Sequence, residues 1–186
     1  MSVSDLMLRR RYKKMARALI DIDPTRDPID SFVAELSSTL DREVKLLPTQ
    51  FGVTRACGVL ISDDPRKTYY ICYPSDAKRL LAAQVVFHEG AHALLGHDDD
   101  FRGNEDFSKV DSAEFDALRK LLPDIDPEAI RRRLARTEYD APQETAAETL
   151  ASYMTAQMSG PGAALRRHRG SDNDVLSSLF DIPQPH

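Results

Sequence analysis

At 186 residues the chain is long enough for one domain with a substantial core and short for two. A formal charge of −5 argues against a broadly basic surface, so direct nucleic-acid binding is not expected. No run approaches the ~20 apolar residues that span a bilayer, and the first twenty residues mix basic and apolar positions where a secretory leader would separate them. The expected location is therefore the cytoplasm, with no membrane as partner.

Residues 5–20 predict an amphipathic helix, with Leu6, Leu8, Met15, Leu19 and Ile20 set among Arg9, Arg10, Arg11, Lys13, Lys14 and Arg17. Its basic face reads as solvated in preference to phosphate-binding. The Pro/Asp-rich break "DIDPTRDPID" follows. Asp30 or Ser31 then caps a second helix, in which Phe32, Leu36 and Leu40 recur at helical spacing. Three short runs come next: Val44–Pro48, Ala56–Ser62 and Thr68–Pro74. They are rich in β-branched, aromatic and apolar residues, and "DDPRK" is a turn between the last two. They predict a small, mainly antiparallel sheet of about three strands. Cys57 and Cys72, the only cysteines, lack metal-ligand spacing and read as small apolar residues on neighbouring strands.

Ser75 or Asp76 is expected to cap a helix that runs to about Leu95 and stops at Gly96. The acidic stretch 97–109 reads as a mobile loop. Two short helices separated at "PDIDP" follow within 112–136, then a helix from about Ala141 that ends at "SGPG". The fold class is α+β, mainly helical. An N-terminal helical segment (1–43) precedes a core (44–160) with a helical insertion (98–140), and the tail 161–186 is loosely structured.

The chemistry concentrates in "HEGAHALLGH". His88 and His92 are four apart, so on a helix their imidazoles share a face and can aim at one point. Glu89 sits beside that pair, where it can take a proton from a metal-activated water. With five His and nine Glu in the chain, chance would place an H-E-x-x-H in only about 0.6% of shuffled versions, so the motif is read as a zinc site.

A catalytic zinc ordinarily has three protein ligands. His97 falls one residue short of the third histidine in H-E-x-x-H-x-x-G-x-x-H, and Leu95 stands where that pattern needs glycine. Asp98 does occupy the required position but lacks the glycine turn, so His97 reads as a pocket or loop residue and Asp98 carries little weight. Glu144 and Glu148, four apart among small and apolar residues, share a face of the later helix. One of them would complete a two-histidine, one-glutamate site, and the other would hold a ligand histidine through its second ring nitrogen.

At this point the chain resembles the ImmA/IrrE family of metallopeptidases. There an H-E-x-x-H helix follows a small sheet, and a later helix carries E-x-x-A-[N/D]-x-F-A. "HEGAH" (88–92) and "ETAAETLA" (144–151) match, with Glu148 in the Asn/Asp place and Leu150 in place of Phe. The resemblance implies a zincin-like fold and one zinc per chain held by His88, His92 and Glu144. It further implies that Glu89 is the catalytic base and that a helix-turn-helix repressor is the protein substrate. Glu148, His97 and Tyr139 are the pocket or second-sphere candidates. Tyr139, Tyr153, His97 and Arg136 are nominees for stabilising the oxyanion. A competing expectation is a metal-bearing regulator that sequesters a partner through the basic helix and the acidic loop without cutting it. A DNA-binding regulator rests only on "LRRRYKK" and "RRR" (131–133) and is weak against the net charge.

Overall fold

The computed structural model describes residues 3–19, 27–51, 58–98, 106–135, 139 and 141–159. In chain order these form α1 (Val3–Leu19), α2 (Pro28–Leu40), β1 (Glu43–Thr49), β2 (Val59–Asp63) and β3 (Thr68–Pro74), then α3 (Arg79–Leu94), α4 (Ser112–Leu121), α5 (Pro127–Ala135) and α6 (Ala141–Ser159). The result is the α+β, mainly helical class that the sequence predicts. None of the described helices is long and apolar enough to cross a membrane. The tail 161–186, Cys57 and Arg136 lie outside the described residues.

The sheet has the order β1-β3-β2. β2 and β3 form the expected antiparallel hairpin, with Val59 opposite Cys72 and Asp63 opposite Thr68. β1 lies on the far edge of β3 and runs parallel to it, Glu43 opposite Thr68 and Thr49 opposite Pro74. The sheet is thus mixed where a mainly antiparallel one was expected. Turn chemistry reveals the hairpin, whereas β1 reaches β3 through a longer connection that carries no turn signal for its direction. β3 takes the centre of the order, with β1 on the edge away from β2.

Burial on both faces explains the unbroken apolar runs in β2 and β3, since a strand covered on both faces has no polar side to alternate with. One face, with Leu60, Tyr69 and Ile71, packs on Tyr12, Ala16 and Leu19 of α1, Phe32 and Leu36 of α2, and the apolar residues of α3 and α6. The other face, with Val59, Ile61, Tyr70 and Cys72, is covered by Leu118, Leu122, Ile125, Ala129 and Ile130 from the α4–α5 region. The N-terminal helices therefore share a core with α3, and the 98–140 region supplies the second core.

Two helix starts differ from expectation. Asp27 caps α2, accepting the Ile29 N–H at 2.8 Å, with Pro28 at the first helical positions, where its missing donor costs nothing. Helix α3 begins at Arg79 with Lys78 at its N-cap, so neither Ser75 nor Asp76 caps it; ahead of it the Ser75 N–H bonds to the Thr49 carbonyl at 3.0 Å and the Ala77 N–H to the Pro74 carbonyl at 3.1 Å. Arg79 pairs with Asp27, so the starts of α2 and α3 are tied together. Of the stretch expected as a loop, Asp98 is buried and Phe107–Lys109 form a 3₁₀ turn.

Candidate metal centre

Helix α3 is enclosed on nearly every side, and its neighbours decide what each polar residue meets. At about 100° per residue, His88 and His92 fall on one side of the helix and Glu89 on another. The histidines turn toward α6, while Glu89 turns toward β2. Helix α6 packs along Ala147, Leu150, Ala151, Met154 and Met158, all buried. Glu144 lies just before this stripe, near the rim of the same face, and so reaches the histidine pair.

The Nε2 atoms of His88 and His92 are 3.2 Å apart. Glu144 places Oε2 3.4 Å from His88 Nε2 and Oε1 3.6 Å from His92 Nε2. One donor atom from each residue lies within 4.8 Å of the others, a group that can hold a metal ion. It is the one such group among the described residues. His92 is fully buried, whereas the side chains of His88 and Glu144 are 29% and 46% exposed, so the donors converge at an opening. Burial, with His88 and His97 adjacent, lowers the His92 imidazole to about 3; it is neutral at ordinary pH and its lone pair is available.

Glu89 is buried at the β2 side. Burial pushes its carboxyl up to about 7, against the opposing pull of Arg133, with Glu144 adding to the rise and the bond from the Leu60 backbone N–H lowering it. The chain entering β2 passes very close: a Cβ at Gly58 would stand 2.8 Å from Glu89 Oε1 and 2.5 Å from Val85 Cγ1. A glycine leading into a buried strand was the available signal for this approach. The field of Arg133 reaches Glu89, His92 and Cys72, although in the sequence this residue is one of three arginines in a basic run.

The remaining candidates divide. Tyr139 stacks on His92 with ring centroids 3.7 Å apart and planes 16° from parallel. His97 is buried, and its Nδ1 lies 3.0 Å from His92 Nδ1. Glu148, expected as a possible partner of a ligand histidine, is exposed and belongs to no donor group among the described residues. Four residues advance a helix by about 40° beyond a full turn, which rotates Glu148 further from the packed stripe than Glu144. Tyr153 is partly buried against the main core. Asp98, given little weight in the sequence, is 1% exposed and accepts the Tyr69 hydroxyl at 2.6 Å; it faces the sheet and stands apart from the donor group. Comparison with family models, curated proteins and solved structures finds no match to the chain.

Proposed function

We propose that the chain is a zinc-dependent endopeptidase of the H-E-x-x-H type, related to the ImmA/IrrE metallopeptidases that its two motifs resemble. One observation carries the reading. Two imidazole nitrogens and a carboxylate group converge at 3.2, 3.4 and 3.6 Å beside a buried glutamate. A tetrahedral zinc with bonds of about 2.0–2.1 Å holds its donors about 3.4 Å apart, so the donor set and its spacing fit that ion. Structural zinc sites are closed by four protein ligands. Here three donors meet at an opening, which suits a catalytic site with room for water and substrate.

Bound zinc supplies Lewis acidity, polarising a scissile carbonyl and acidifying water. The protein contributes the rest. His88, His92 and Glu144 supply the donors, and the packing of α6 on α3 fixes their spacing. Glu89, buried beside the donors and bonded by the Leu60 backbone N–H, is the carboxyl group placed to take a proton from attacking water and return it to the leaving amine. Gly58 leaves Glu89 just enough room. The Tyr139 ring, flat on His92, limits the tilt of that imidazole. By the same resemblance, the substrate is a helix-turn-helix repressor met in the cytoplasm.

The test is cleavage of a candidate repressor in the presence of zinc by the wild type and by Glu89→Gln. Cleavage by the wild type and a loss of at least a hundredfold in the variant are expected, since a general base contributes about 10²–10⁴-fold. Equal cleavage by both proteins would remove Glu89 from the chemistry.

A further inference from the structure

The turn that ends α3 folds the chain back on its own last ligand. Gly96 has φ +73°, the left-handed conformation that glycine adopts without penalty. Its N–H bonds to the Ala93 carbonyl at 3.1 Å, and the His97 N–H bonds to the His92 carbonyl at 3.0 Å. These paired bonds are the Schellman termination, and they reverse the chain within two residues. His97 is thereby returned over the turn that carries His92. Its ring meets that of His92 at 67°, with centroids 5.1 Å apart and the two Nδ1 atoms 3.0 Å apart.

A hydrogen bond between two imidazole nitrogens needs one donor and one acceptor, so one tautomer fixes the other. His92 turns Nε2 toward His88 and Glu144 and Nδ1 toward His97. To offer Nε2 as a lone pair, a neutral His92 must carry its proton on Nδ1. His97 Nδ1 is then the acceptor, and His97 keeps its own proton on Nε2. We infer that His97 is a positioning residue, whose Nδ1 accepts from His92 Nδ1–H and so presents His92 Nε2 to the metal before any metal arrives. A carboxylate commonly holds a ligand histidine in this way. This inference rests on the metal-site part of the proposed function, but the tautomer is a property of the metal-free chain.

Two variants separate positioning from packing. His97→Phe keeps a ring and removes the acceptor, whereas His97→Asn loses the ring but sets an oxygen about where Nδ1 stands. Zinc affinity, measured by competition with a chromophoric chelator, is expected to fall 10- to 100-fold in His97→Phe and to stay within about threefold in His97→Asn. A role in packing alone predicts the opposite order, and that order overturns the inference. Nitrogen-15 spectra of the metal-free wild type at pH 8 supply a readout that needs neither zinc nor a variant. His92 is expected as the Nδ1–H tautomer, and finding it protonated on Nε2 overturns the inference even if His97→Phe fails to fold. A chain that takes up no zinc yet shows the Nδ1–H tautomer retains the histidine pair and removes the zinc reading. Zinc binding with equal affinity in all three proteins does the reverse.

Discussion

Replacing Glu89 by glutamine should stabilise the metal-free protein at alkaline pH and leave it unchanged in acid. The folded chain holds the Glu89 carboxyl at about 7, against 4.5 for an ordinary glutamate, chiefly because it is buried. A raised acid binds its proton more tightly in the folded state, so its contribution to stability is complete below pH 4.5 and fades as pH rises through 7. At 1.36 kcal/mol per unit, the ionised side chain costs the fold about 3 kcal/mol above pH 8. The substituted glutamine side chain fills nearly the same volume, accepts the Leu60 N–H through its amide oxygen, and never ionises. His92 moves in the opposite sense: lowered to about 3, it stabilises the fold above pH 6.5 and weakens it as pH falls below that value. That term is common to both proteins and cancels in their difference, provided the two sites do not couple strongly.

The assay is urea unfolding of both metal-free proteins at intervals from pH 4.5 to 8.5. The stability gap should open from near zero at the acid end to about 3 kcal/mol in favour of the variant at the alkaline end, with most of the change between pH 5 and 7. A gap independent of pH would refute the reasoning, because it would mean that Glu89 ionises alike in the folded and unfolded chains. Zinc should stabilise both proteins to a similar extent, because the three donors His88, His92 and Glu144 are common to them.

Two further outcomes test the surroundings of the site. Gly90→Ala would set a Cβ 2.5 and 2.6 Å from ring atoms of Phe32 and 3.1 Å from Leu36. The resulting overpacking between α2 and α3 should cost about 1–3 kcal/mol by chemical denaturation, and Phe32→Leu in the same chain should recover part of it. Burial pushes the Cys72 thiol up to about 12, so it should resist iodoacetamide in the native protein at pH 8 and react fully in urea. Mass spectrometry of the peptide that contains it distinguishes the two results.

Local periodicity makes much of the site legible. The i, i+4 histidines, the glutamate between them and the glycine stop of α3 are properties of a single helix, and each lies where its spacing puts it. Glu144 is legible as one member of a pair. Choosing between it and Glu148 from the residues alone requires the direction in which α6 packs, which depends on a helix 52 positions away. The parallel placement of β1 is likewise a long-range pairing with β3, and the turn residues of the β2–β3 hairpin carry no record of it. His97 is visible but reads as a pocket residue. Its contact with His92 comes from a chain reversal and not from any helical period, so the counting that finds ligands passes over it.

Covering both faces of β3 limits how the molecule can be divided. The 98–140 region lies between the two motifs in sequence and invites removal as an appendage. Yet the residues it buries, Val59, Ile61, Tyr70 and Cys72, lie on the reverse of the same two strands whose other face supports α3. Cutting it out would expose a flat, β-branched and aromatic surface of the kind that drives strands of separate molecules to join. A shortened chain made by splicing α3 directly to α6 would therefore fail as an insoluble product before its metal binding could be measured. The smallest autonomous unit that carries the three donors includes α4 and α5.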